Sequence, residues 1–139
     1  MKCDVVSAHR KIHSGEITLL VASGIAGEIG ITPRHAPLLT TLRPGTVRIV
    51  DTSGEESTFV IGGGILEVMP HLVTVLVDSA VRAADFDVQA AREARRMAEQ
   101  ELKQGGNTME LAEAQALLKR TIEQMRALEE WRRRVQHRK

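Results

Sequence analysis

The residues able to do chemistry in this sequence are few, and they do not assemble into a reactive set. Five histidines stand at His9, His13, His35, His71 and His137, and Cys3 is the only cysteine. His9 and His13 are four apart, which would place two ligands on one face of a helix. Their surroundings read as strand and loop, so no metal site is expected there. One cysteine forms neither an internal disulfide nor a cysteine-based zinc site. Gly62-Gly63-Gly64 lacks the Lys and Ser/Thr that hold phosphate and Mg²⁺ in a P-loop. A close-packing or bulge site in a sheet is the better reading for it. No motif implies a Ser/His/Asp or Cys/His arrangement, so no catalytic residue is assigned. With no tyrosine and 2% aromatic residues, the chain offers no platform for stacking bases. A net charge of +1 over the 139 residues makes no electrostatic case for nucleic acid or an anionic membrane. By elimination the chain reads as a binding or regulatory subunit.

One polar stretch stands out, Gly27-Glu28-Ile29-Gly30-Ile31-Thr32-Pro33-Arg34-His35-Ala36-Pro37-Leu38-Leu39. Gly27 and Gly30 bracket a short apolar alternation, and Pro33 and Pro37 then fix a polar loop. Glycine takes backbone angles other residues avoid, and proline locks φ and removes a donor. The segment is expected as a stiff surface loop and not as a core strand.

Residues 1–84 read as β structure that must hold this loop. Cys3–Val6 is a short apolar strand. Glu16–Val21 alternates, with Ile17, Leu19 and Val21 expected on one face. Pro44-Gly45 is read as ending a segment after Leu42. Thr46–Val50 and Thr58–Ile61 flank the turn signal Asp51-Thr52-Ser53-Gly54 and read as a hairpin. Ile65–Val68 and the β-branched run Leu72–Val77 complete the set. Short strands between regular turn signals predict an antiparallel β-sandwich or barrel.

The composition changes after Ala84. From there to Lys139 there is no proline, and the only glycines are Gly105 and Gly106. Ala, Glu, Gln, Arg and Leu dominate, all good helix formers. Asp85 or Asp87 is expected as N-cap of a first helix. Ala90, Ala94, Met97 and Glu101 or Leu102 form a shallow stripe along it. Gly105-Gly106-Asn107 breaks that helix, and Thr108 is expected to cap the next. Leu111, Ala114, Leu118, Met125 and Leu128 recur on a helical period, widened by Leu117 and Ile122. The fold class is therefore segregated α+β. A sandwich over 1–84 precedes an antiparallel two-helix hairpin over 85–139. Basic residues crowd the far end: Arg126, Arg132, Arg133, Arg134, Arg138 and Lys139. They read as a solvated face or as an arm that meets an acidic partner. An Ala-rich seam buries little, so the hairpin is expected to lean on the sandwich or on a partner, and to move.

The ordered residues also resemble a known family. Asp4-Val5-Val6-Ser7-Ala8, Gly27-Glu28-Ile29-Gly30-Ile31, His35-Ala36-Pro37-Leu38-Leu39-Thr40, Pro44-Gly45, Gly63-Gly64-Ile65-Leu66-Glu67-Val68 and Val73–Asp78 carry the likeness. The chain resembles the epsilon subunits of bacterial F-type ATP synthases, the rotary proton-transporting machines. The resemblance implies a non-catalytic central-stalk subunit that joins the gamma subunit to the ring of c subunits. It implies a helical arm that inhibits ATP hydrolysis by extending toward the alpha and beta subunits. It implies a peripheral place on the cytoplasmic face of the bacterial inner membrane, without insertion into it. Glu28 and His35 then fall at the c-ring/gamma interface, framed by Gly27, Gly30, Pro33 and Pro37. His35 is equally suited to bracing the loop. Arg120, Arg126, Arg132 and Arg133 become candidate contacts of the inhibitory arm. Some relatives bind ATP through Ile/Leu-Asp-x-x-Arg-Ala. Here Asp87 is kept, but Ala90 stands where the arginine would be, so weak or no ATP binding and no cofactor are expected. Competing readings are a free-standing ATP-sensing module, which the missing arginine disfavours, and a small enzyme, which lacks any supporting constellation.

Overall fold

A computed structural model describes residues 1–137. Eight strands come first: β1 (Lys2–Val6), β2 (Lys11–Gly24), β3 (Gly27–Ile31), β4 (Leu38–Asp51), β5 (Glu56–Ile61), β6 (Gly64–Val68), β7 (Leu72–Val77) and β8 (Ala80–Arg82). A 3-10 turn at Ala83–Asp85 leads to helices α1 (Val88–Gln104) and α2 (Thr108–His137). The segregated α+β architecture is as expected, and the composition break at residue 84 falls in the 3-10 turn. The basic residues Arg138 and Lys139 lie outside the described residues.

The two 14-residue strands, β2 and β4, organise the sandwich. Residues 11–16 of β2 pair with β1, and residues 17–24 pair with β4, with β3 on the opposite edge. Residues 38–42 of β4 pair with β6, and residues 45–50 pair with β5. One layer is therefore β2–β1–β7–β6–β4, and the other is β3–β2–β4–β5–β8. Both long strands run through both layers and close the circuit. All pairings are antiparallel except β1 with β7, whose register runs Lys2 with Leu72 to Val6 with Leu76.

The corners explain where simple alternation goes wrong. The β2–β4 register slips between Ile17 and Leu19, leaving Thr18 over. Its hydroxyl donates to the carbonyls of Val50 and Asp51 at 3.3 and 3.4 Å. The phase flips there, so Leu20 and Ala22 face the core and not Leu19 and Val21. The second corner is Pro44-Gly45. It does not end a strand, as expected from its composition, but bends β4 from one layer to the other. The stretch 27–39 is likewise not loop throughout. Gly27–Ile31 is a strand hairpinned to β2, and Ile31 is fully buried. Only residues 32–37 form loop.

Between the layers lies an aliphatic core that includes Val5, Leu20, Ile49, Leu66 and Val75, with Phe59 its one aromatic ring. The glycine triplet does pack closely. At Gly64 a Cβ would collide with the Leu76 carbonyl, so only glycine lets β6 lie that near β7. Cys3 is fully buried in the core, and burial, then the neighbouring Asp4 charge, pushes its thiol up to about 12.

Candidate docking surfaces

Three surfaces present groups that a partner could use. The first is the outer face of the layer containing β1, β7 and β6. The register aligns Val6, Leu76, Ile65 and Thr41 across four neighbouring strands. Leu76 is 48% and Ile65 44% exposed, and Leu39, two residues along β4 on the same face, is 69% exposed. Ile25, 70% exposed at the β2–β3 tip, is tied to that edge through its amide, which donates to the Thr41 carbonyl. Single exposed aliphatics are ordinary, but a row across adjacent strands marks a contact surface. Sequence reasoning missed this face. The signal was Leu76 and Ile65 alternating with core residues along β7 and β6.

The second surface is the loop cluster at one end of the sandwich. Strand directions bring together residues 32–37, the β6–β7 turn at 69–71 and the start of β1. His35 is half-buried, and its Nδ1 lies 2.7 Å from the Ala36 carbonyl oxygen. That is the bracing geometry. Pro33 and Pro37 frame the loop and are exposed. Arg34 has a φ of 69°, in the left-handed region. A non-glycine residue there costs about 1–2 kcal/mol.

Glu28 and the frame glycines sit elsewhere. Gly27 closes the β2–β3 hairpin with a φ of 132°, and Glu28 pairs with Ser23 beside it. Gly30 is exposed along the same strand. The structure therefore separates Glu28, at the hairpin end of β3, from His35, beyond its other end.

The third surface is the seam between α2 and the layer containing β4 and β5. Leu128 of α2 packs with Val60 and Ala83, joined by Phe86, Val88 and Trp131. The Gln124 side chain donates to the Ile61 carbonyl at 3.2 Å. Beside these contacts the seam opens into a cavity of about 90 Å³ whose walls include Glu28, Arg43, Glu123, Arg126, Glu130 and Arg134. The Glu123 Oε2 atom is buried without a hydrogen-bond partner among the described residues. Desolvating it opposes docking of the helix.

The other basic candidates divide by position. Arg120 lays its stem over Gly62, with its Cδ in contact distance of a Cβ there. Arg126 lines the charged cavity, while Arg132 and Arg133 are exposed, the latter 4.0 Å from Glu129. Asp87 caps α1, its carboxylate accepting from the Ala90 amide at 3.0 Å. Asn107, not Thr108, caps α2, accepting from the Glu110 amide at 2.8 Å. The buried stripe of α1 follows the expected one at Ala94 and Leu102, both half-buried, and departs from it elsewhere. Ala98 is buried, whereas Ala90 is exposed and Met97 is 55% exposed. The two histidines spaced four apart do not meet: His9 lies exposed in a turn, while His13 meets the Phe59 ring edge-on at 6.4 Å.

Family models match in chain order. The beta-sandwich domain of the ATP synthase delta/epsilon chain matches residues 1–83, and its long alpha-helix domain matches residues 85–129. The chain belongs to the ATP synthase delta/epsilon family. Full-length relatives are ATP synthase epsilon chains. Those of Xanthomonas euvesicatoria pv. vesicatoria and Xanthomonas campestris pv. campestris are each 50% identical over 137 residues, 99% of this chain and 98% of theirs. Among solved structures, a chain of the Euglena gracilis mitochondrial ATP synthase OSCP/F1/c-ring assembly superposes with a TM-score of 0.78 at 19% identity. That match covers 91% of this chain and 79% of the other. A chain of the Tetrahymena thermophila central stalk/c-ring assembly gives 0.62 at 15% identity, covering 92% and 96%. At such identities these two show that the delta/epsilon fold is shared.

Proposed function

We propose that this delta/epsilon-family chain couples the gamma subunit to the c-ring on the central stalk of a proton-transporting ATP synthase. In this reading it forms no bond itself, and its helical arm restrains ATP hydrolysis. The carrying observation is the division of the sandwich into two unlike outer faces. One bears the apolar row Val6, Leu76 and Ile65, uncovered in the free chain. The other is occupied by α2 through a small apolar cluster and an imperfectly matched charged seam. The uncovered face suits a permanent partner, assigned to gamma. The loop 32–37, with His35, and Glu28 on β3 are assigned to the c-ring.

The arm is held weakly enough to leave. Once released, Arg120, Arg126, Arg132 and Arg133 would meet acidic loops of the alpha and beta subunits. Each exposed pair contributes about 0.2–1 kcal/mol, so several must act together. Asp87 is engaged as a helix cap and Ala90 carries no charge, which supports a regulator that works without bound ATP. No described helix is long and apolar enough to cross a membrane. The proposed location is the cytoplasmic face of the bacterial inner membrane, reached through the ring.

The test is a chain cut after Ala84, added to enzyme stripped of this subunit. It should still bind gamma and restore coupling, and it should lose most of the inhibition of hydrolysis. Inhibition equal to that of the full chain would refute the arm's role.

A further inference from the structure

The turn Thr32-Pro33-Arg34-His35 has proline at its second place and a residue with φ of 69° at its third. That third place in a type II turn calls for positive φ, and glycine or asparagine fills it when only the turn matters. Arg34 is the only non-glycine residue among those described with positive φ. Backbone strain of this kind persists where the strained residue has a task.

The surroundings of Arg34 indicate the task. It is exposed and forms no ion pair with any described residue. With Lys2 and His71 it lines a cleft of about 300 Å³. Glu16, the carboxylate in that wall, lies 2.9 Å from the Met1 amine. The cleft therefore presents positive charge without an uncommitted acid beside Arg34.

We infer that Arg34 is held in this conformation to engage a carboxylate on the polar loops of the c-ring. The inference rests on the ring docking proposed above and adds the chemistry of the partner, an acidic protein loop. A planar guanidinium on a proline-framed turn matches a carboxylate in a fixed orientation. Recruitment to a lipid surface uses clusters of about four to eight Lys/Arg, and this cleft holds two.

The experiment compares the full chain with Arg34→Gly and Arg34→Lys. Binding is measured to a purified gamma–c-ring assembly in neutral detergent, and to protein-free vesicles of phosphatidylserine. Arg34→Gly should bind the assembly about five-fold more weakly at low ionic strength. The difference should shrink in high salt. Arg34→Lys should recover part of the loss, and the melting temperature of the free Arg34→Gly chain should not fall. Equal binding of wild type and Arg34→Gly overturns the inference and leaves ring docking standing. Failure of the wild type to bind the assembly overturns both. A loss confined to the vesicles assigns the arginine to lipid and overturns the inference, as does a lowered melting temperature, which would make Arg34 a structural brace.

Discussion

The sandwich and the helical arm use the same kinds of residue and hold together in different ways. Sixteen buried residues form the continuous core between the layers of the sandwich. Five strand neighbours close a circuit around it, so no layer leaves without breaking backbone pairing. The arm touches that body through Leu128 against Val60 and Ala83, three partly buried neighbours, the Gln124 hydrogen bond, the Arg120 stem over Gly62 and the walls of the charged cavity. A buried Val or Leu contributes about 1.5–3 kcal/mol. A partner surface of similar size can therefore match what holds the arm, whereas nothing comparable competes with the core. The difference separates a stiff body from a more readily displaced helical arm within one chain.

The largest expected effect contrasts one residue from each region. Phe59→Ala in the core should lower global stability by about 3–5 kcal/mol. Leu128→Ala should cost about 2–5 kcal/mol in arm docking while the sandwich unfolds at its original denaturant midpoint. Trp131 is the only tryptophan and packs beside Leu128, so its fluorescence reports the arm alone. A single transition shared by fluorescence and far-UV circular dichroism in the Leu128 variant would erase the distinction.

A smaller effect reads the core by titration. The Cys3 thiol is pushed up to about 12 from 9.0. Above pH 9 the unfolded chain loses this proton and the folded chain keeps it. Stability should then fall by about 1.4 kcal/mol per pH unit, and Cys3→Val should remove that slope. A thiol reagent at pH 8 should modify Cys3 only in denaturant. Rapid labelling of the native chain would show that the core opens more readily than its packing implies.

The smallest effect belongs to the arm. Asp87→Ala removes the cap of α1 and should cost about 0.5–2 kcal/mol. Helical circular dichroism should weaken while strand amide protection stays unchanged. Loss of protection in β5 would mean that the arm supports the sandwich.

Much of this contrast is legible in the residues. The composition break at 84, the glycine link at 105–106 and the leucine rhythm of α2 follow from helix propensity and period. The strand alternation in Val47 and Ile49 reads directly as a core face. What escapes is set by tertiary pairing. The phase slip at Thr18 depends on β4 lying alongside, so alternation counted within β2 assigns Leu19 and Val21 to the wrong face. Pro44 looks like a terminator because its missing N–H matters only where a neighbour needs it, and a corner needs it less. Of the candidate contacts, the apolar row is invisible until four strands are placed side by side. Arg34 conceals its turn because an arginine does not advertise positive φ.

The passage of β2 and β4 through both layers has a mechanical consequence. Two sheets joined only by side chains slide over one another under shear, because interlayer contacts are non-directional. Here a load entering at the 32–37 loop meets β4 at Leu38 and travels along covalent bonds around the Pro44-Gly45 corner into the opposite layer. β2 provides a second such tie through Ile17. The body resists shear as a single stiff element, so elastic compliance is concentrated in the turns at its ends.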